Sequence, residues 1–339
     1  MSNSRSASLD TLEIPVADSP ATASSSHAPD DWTLPQPFKH RGWKPYRDRI
    51  YRTLIALDVS PARRRRFAGC GSSVWLLVNR EDPALFKVVY SSCHDRFCLP
   101  CSRARATNIR NNLANYTQGL KLRFVTLTLA HTSQPLAVQL DRLVRAFKSL
   151  RGTPLWRQRV RGGVAFLEVK LSDRTGCWHP HFHVLIDSNF LPQSVLSALW
   201  LDVTGDSKIV DIRLVRGQEE VAQYVTKYVT KPLSGTVLRD AATTVEAVSA
   251  LHNRRLFIAF GGWVKWKLTQ NADPKTWDLF AHESELFQRS KDGDPFADAI
   301  IQHVLAFFYA DGDSEFRVEH VPLSTGPPAG AESRQRTLW

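Results

Sequence analysis

The chain has 339 residues, 44 Lys and Arg against 33 Asp and Glu, and a formal net charge of +11 at pH 7. That length fits one large core with appendages or two domains, and nothing in it approaches the ~20 apolar residues of a membrane span. The first 31 residues carry no apolar signal block, so the expectation is a cytoplasmic protein with no membrane partner. The positive balance predicts a polyanionic partner. Five cysteines without a secretory signal point to metal before disulfides.

Residues 1–45 are rich in Ser, Ala and Pro and read as a disordered leader. Residues 46–115 hold a small cysteine-rich module. Cys93-x4-Cys98-x2-Cys101, with Cys70 between Gly69 and Gly71, offers four thiolates, a closed tetrahedral set that suits a structural Zn²⁺. The glycines permit the tight turn such a ligand needs. Arg96, Arg103 and Arg105 surround the cluster and are expected to hold DNA. Cys177 is left without a role.

Residues 123–131 alternate as a strand, with Val125, Leu127 and Leu129 on one side and Phe124, Thr126 and Thr128 on the other. Residues 136–150 have helical spacing, and 164–171 form a second strand. A Ser-Asp-Arg-Thr-Gly turn leads into a histidine strand that pairs back as a hairpin. Helix 193–203, strand 208–215 and helix 218–231 follow. The order β-α-β-β-α-β-α predicts an α+β, ferredoxin-like domain with a central antiparallel sheet over residues 116–270. A weaker helix runs from Pro232 to about Leu251, then a strand at 255–260. Residues 271–339 form a C-terminal extension and tail.

Two constellations carry chemistry. In His179-Pro180-His181-Phe182-His183, side chains two apart share a face, so His181 and His183 stand together and can chelate one divalent metal. Glu168, on the neighbouring strand just before the turn, is the candidate third ligand, and an oxygen-plus-imidazole set suits Mn²⁺ or Mg²⁺. Pro180 marks the strand's start. His179 is read as a supporting or phosphate-contacting residue.

The second constellation is Glu220-x3-Tyr224-x2-Lys227-Tyr228-x2-Lys231. On a helix, Glu220, Tyr224 and Tyr228 form one stripe, with the tyrosines ~6 Å apart. The intervening Val and Thr favour a strand, in which the tyrosines would be ~13 Å apart. A tyrosine hydroxyl can attack a phosphodiester, and Lys227 or Lys231 can offset the developing charge.

These residues resemble a known family. His181-Phe182-His183 followed by Val184-Leu185-Ile186 looks like the HUH signature of rolling-circle plasmid replication initiators (Rep proteins). Phe124-Val125-Thr126-Leu127-Thr128 resembles the family's first motif, and the Tyr224 to Lys231 segment its third. The segment from Cys93 to Cys101 is similar to one found in plasmid Rep proteins. The resemblance spans about residues 65–265. It implies an HUH endonuclease domain and a metal-dependent nick at a plasmid origin, single-stranded or hairpin, through a 5′-phosphotyrosine. His181, His183 and Glu168 become metal ligands, and Tyr224 is the first-choice nucleophile. Tyr228 is a second nucleophile, or Glu220 activates water. Thr126, Thr128 and His179 become DNA contacts, and a host helicase with the replication machinery becomes a partner.

Two rivals differ in class. A histidine-triad nucleotide hydrolase or transferase uses a histidine nucleophile without metal. A zinc-dependent DNA-binding protein uses only the basic surface and forms no covalent product.

Overall fold

The computed structural model describes residue 40 and residues 42–82, 85–229, 233, 235–270, 277–310 and 319–320. Most of the expected leader, and the tail beyond residue 320, lie outside them. The chain opens with helices α1 (Lys44–Ala56) and α2 (Pro61–Ala68), strands β1 (Val74–Asn79) and β2 (Leu85–Tyr90), and the long helix α3 (Leu99–Tyr116). Next come β3 (Leu122–Thr128), α4 (Leu136–Gly152), α5 (Pro154–Arg159), β4 (Val160–Leu171), β5 (Trp178–Ser188), α6 (Gln193–Thr204) and β6 (Val210–Leu214). Helices α7 (Gln218–Val229) and α8 (Ala241–Ala250), and β7 (Phe257–Gly261), complete the middle of the chain. Strand β8 (Trp277–His282), α9 (Glu283–Lys291), α10 (Pro295–Ala310) and the short β9 (Glu319–His320) follow.

The result is an α+β fold built on two antiparallel sheets. The larger has the order β6-β3-β5-β4-β7. Its strands alternate as their sequences do. Val125, Leu127, Phe182, Val184 and Ile186 pack on one face against Leu140, Leu143 and Phe147 of α4 and Trp200 of α6. Phe124, Val164, Phe166 and Leu185 pack on the other against Ile109 and Leu113 of α3 and Val221 and Tyr224 of α7. Both faces are therefore covered, and α7 is a helix despite its β-branched residues. Burying the Val221 side of that helix outweighs local preference.

Strand β4 begins four residues earlier than its alternation suggests. The added length carries a bulge between Val160 and Gly162, and Arg161 there pairs with Asp187. Gly163 sits where a side chain would overlap the Leu185 carbonyl of β5. Helix α8 starts at Ala241, not near Pro232, because Asp240 caps it by accepting from the Thr243 amide at 2.8 Å.

The smaller sheet has the order β8-β1-β2-β9. The β1–β2 hairpin, not anticipated from sequence, lies between Cys70 and Cys93. It pairs with β8 from the C-terminal extension, Trp75 opposite His282 and Asn79 opposite Trp277. Leu76, Phe86, Ala281, Leu286 and Phe296 make a separate small core there. No described helix is long and apolar enough to cross a membrane.

Candidate active site and metal centres

Strand register builds the first site. Glu168 of β4 faces His181 of β5, Phe166 faces His183, and on the other side Thr126 of β3 faces His183. Glu168 Oε2 lies 2.5 Å from His181 Nε2 and 2.8 Å from His183 Nε2. One donor atom from each residue falls within 4.8 Å of the others. His181 and His183 are buried, and Glu168 is partly open.

The outward ring atoms also have partners. His181 Nδ1 is 3.1 Å from the His179 carbonyl, and His183 Nδ1 is 3.4 Å from Thr126 Oγ1. With its proton on Nε2 each ring donates to Glu168; moved to Nδ1, where these partners accept it, the proton leaves both Nε2 lone pairs free for a cation. That is the tautomer a metal requires, fixed by groups beyond the ligands. Two imidazoles and one carboxylate thus fit a divalent cation of the harder kind.

Electrostatics agree with this arrangement. Burial disfavours the Glu168 carboxylate, yet the hydrogen bonds from His181 and His183, with Lys170 at 3.3 Å, hold its pKa well below the usual carboxylate range. Burial lowers the His183 pKa despite Glu168 beside it, which favours the neutral, ligating imidazole.

Tyr224 of α7 reaches the same sheet face. Its ring stacks on Phe124 at 3.8 Å and meets the His183 ring edge-on at 5.8 Å. The phenol is 6 % exposed, and its hydroxyl donates a long bond of 3.4 Å to the Val125 carbonyl. One turn earlier, Glu220 accepts from the Arg216 amide at 3.0 Å. Lys227 and Tyr228 continue the α7 backbone, but their side chains lie outside the described residues, as does all of Lys231.

His179 is placed beside the triad, but its partner is a residue the sequence did not mark. His131 Nδ1 lies 2.7 Å from His179 Nε2. The strand expected over residues 123–131 ends at Thr128, so its alternation does not place His131 beside His179. Thr128 is partly buried, and its carbonyl accepts from Trp200 Nε1 at 2.8 Å.

The second centre gathers Cys70, Cys93, Cys98 and Cys101, all buried. Sulfur separations are 3.7 Å for Cys70–Cys98, 3.6 Å for Cys70–Cys101 and 3.8 Å for Cys93–Cys101. Cys98 caps α3 and Cys101 lies in its first turn. Of the two glycines flanking Cys70, only Gly71 uses the left-handed region, at φ +80°. Hydrogen bonds from Cys101, Cys93 and Cys98 draw the Cys70 thiol down, while the same contacts push Cys93 up. A closed all-sulfur set fits Zn²⁺. The buried His40 ring, also unmarked by the sequence, sits 3.9 Å from Cys98 Sγ.

The three arginines expected around this cluster differ. Arg96 turns inward and donates to the carbonyls of Leu251 (2.8 Å) and Arg254. Arg103 lies over the Trp43 ring at 4.5 Å. Arg105 is exposed. Cys177 contacts its local turn, 3.5 Å from the Thr175 carbonyl.

A two-sided α+β sheet that presents a histidine–carboxylate triad, beside a four-cysteine cluster, defines a protein with two candidate metal centres. The sequence profile of the replication protein family matches residues 86–303, and the chain belongs to that family of replication-initiator (Rep) proteins. A "Protein rep" from Staphylococcus aureus is 25 % identical over 189 residues, covering 50 % of this chain and 82 % of the relative. One from a Bacillus species is 30 % identical over 164 residues, covering 42 % and 52 %. Another from Bacillus amyloliquefaciens is 30 % identical over 148 residues, covering 38 % and 43 %. The chain thus spans most of the first and about half of the other two. No solved structure matches it.

Proposed function

We propose that this protein initiates rolling-circle replication of a plasmid by nicking and rejoining one origin strand. The observation that carries this reading is the meeting of Glu168, His181 and His183 with the Tyr224 ring on one sheet face. Residues 116–270 act as an HUH endonuclease domain of ferredoxin-like topology. Residues 46–115 act as a structural zinc module, with Cys70, Cys93, Cys98 and Cys101 as ligands.

His181, His183 and Glu168 hold Mn²⁺ or Mg²⁺, which when bound supplies Lewis-acid polarisation of the scissile phosphate. Tyr224 gives up its long bond to the Val125 carbonyl as the phosphate enters. Its oxygen bonds to phosphorus, the P–O3′ bond breaks, and the 3′ oxygen takes up a proton. The products are a 5′-phosphotyrosine and a free 3′ hydroxyl that primes synthesis. Lys227 offsets charge at phosphorus. Tyr228 with Lys231, or Glu220 acting on water, ends the cycle. The scissile strand must be unpaired or extruded as a hairpin, and a host helicase opens the duplex ahead.

A histidine-nucleophile mechanism has less support, because both Nε2 atoms converge on Glu168. The test is a denaturing gel of protein, Mn²⁺ and end-labelled single-stranded origin DNA. A boil-resistant shifted band is expected for the wild type, and its loss in Tyr224→Phe. If neither Tyr224→Phe nor Tyr228→Phe loses the band, the nucleophile assignment fails. If the wild type gives none on its own origin, the protein is a binder and not a strand transferase.

A further inference from the structure

Between α3, β7 and residues 264–269 lies a cavity of about 500 Å³. Its wall includes Phe166 and Leu167, the two residues of β4 that precede Glu168. The cavity therefore starts within about 7 Å of the metal triad along the strand. Five cations line it, namely Arg96, Arg105, Arg254, Arg255 and Lys267, and no acidic residue does among those described. Two of the five are occupied. Arg96 holds the Leu251 and Arg254 carbonyls, and Arg254 pairs with Asp141 at 2.6 Å. Arg105, Arg255 and Lys267 are exposed. Arg105 makes a long contact, 3.4 Å to the His94 carbonyl.

Much of the uncharged wall is apolar. Val264 is 65 % exposed, and Trp266 is held rigid between Trp263 at 4.2 Å and Tyr116 at 5.1 Å. Strand β7 is the last in its sheet among the described strands, so its outer edge has no ladder partner there, and its residues Phe257, Ile258 and Ala259 line the cavity. Cations for phosphates, apolar surface for bases and edge backbone groups for base edges together match a nucleotide chain. The volume suits a ligand of one or two nucleotides and excludes a double helix.

We infer that this cavity holds unpaired nucleotides of the DNA strand next to the scissile phosphate, with their phosphates on Arg105, Arg255 and Lys267. This rests on the proposed nicking function, and it names where the strand lies on one side of the chemistry.

The test uses the full chain carrying both Tyr224→Phe and Tyr228→Phe, so that binding is read without adduct formation whichever tyrosine attacks, and a fluorescent single-stranded oligonucleotide followed by anisotropy. Arg255→Ala with Lys267→Ala is expected to weaken binding at least tenfold. It should also flatten the salt slope by about 1.4, at about 0.7 for each phosphate no longer neutralised. The pair Arg145→Ala and Lys148→Ala, the same charge change on α4 across the sheet, is expected to change affinity less than twofold. Equal effects from both pairs would reduce the result to net charge and overturn the assignment. An oligonucleotide with 5-iododeoxyuridine beside the nick site is expected to crosslink within residues 257–266. Crosslinks elsewhere would refute the placement. Competition by a free deoxynucleoside triphosphate at micromolar concentration would also overturn it, in favour of a mononucleotide site. None of these readouts depends on whether Tyr224 is the nucleophile, so the two proposals fail separately.

Discussion

Gly163→Ala tests whether strand spacing sets the metal triad. An added Cβ would overlap the Leu185 carbonyl and lie 2.7 Å from Phe260 Cζ and 3.1 Å from Ile186 Cγ2. Carbon contacts relax near 3.5 Å, so about 0.8 Å must be found. The Phe260 ring tip can tilt, but the Leu185 carbonyl belongs to β5 and cannot. The strain therefore moves β4 away from β5, three residue pairs from Phe166–His183 and five from Glu168–His181. Overpacking of this kind costs about 1–3 kcal/mol. For a chain of 339 residues, with an unfolding entropy of about 0.7 kcal/mol/K, that is a fall in Tm of roughly 1–4 °C. Because Glu168 sits on the displaced strand, Mn²⁺ affinity should fall severalfold as well. Scanning calorimetry and isothermal titration read the two effects. Gly152→Ala is the control: nothing lies within 4 Å of its added carbon at the end of α4, and it should be neutral or stabilising by about 0.5 kcal/mol. Unchanged Tm and Mn²⁺ affinity in Gly163→Ala would refute the argument that the β4–β5 gap positions the carboxylate.

Cys98→Ser should abolish stoichiometric zinc and lower Tm; full zinc occupancy in the variant, measured by atomic absorption, would remove Cys98 from the ligand set. Phe124→Ala should destabilise by about 3–5 kcal/mol, since a buried ring and its stack on Tyr224 go together. Adduct yield at a temperature where the variant is folded should drop too, with Phe124→Leu recovering stability more than yield. The pH dependence has a definite sign. His183 and Glu168 both have folded pKa values below their ordinary ones, so the unfolded chain binds more protons than the folded one as pH falls. Without added Mn²⁺ or Mg²⁺, the His183 contribution is full above about pH 6.5, and the Glu168 contribution above about pH 4.3. Urea midpoints should fall on acidification, and the stability gap between wild type and Glu168→Gln should narrow below about pH 4.3. A gap that widens there would contradict the assigned shift.

Much of the central sheet was legible because it obeys period two. The parity that puts Phe124, Thr126 and Thr128 on one side of β3 also puts His181, His183 and Glu168 on that side of their strands, so one register brings the triad together. Helix α7 was ambiguous for a physical reason: its Val and Thr content pulls toward strand, and only packing of Val221 and Tyr224 under the sheet decides it. The β1–β2 hairpin escaped notice because cysteines dominate its surroundings. Pairing of β1 with β8 leaves no local trace, since Trp75 and His282 are far apart in the chain. His40 and His131 were illegible likewise, each drawn to its neighbour by a loop and not by a repeat.

That long-range pairing has a consequence for biogenesis. The edge of β1 is synthesised early, yet the strand that covers it ends at His282. At about 5–20 residues per second, a ribosome needs roughly 10–40 s to deliver it. Throughout that interval a nascent Rep chain presents an open, apolar ribbon, Val-Trp-Leu-Leu-Val, to its crowded surroundings. Chaperone engagement during translation, or sticking between polysome neighbours, is therefore to be sought at this ribbon.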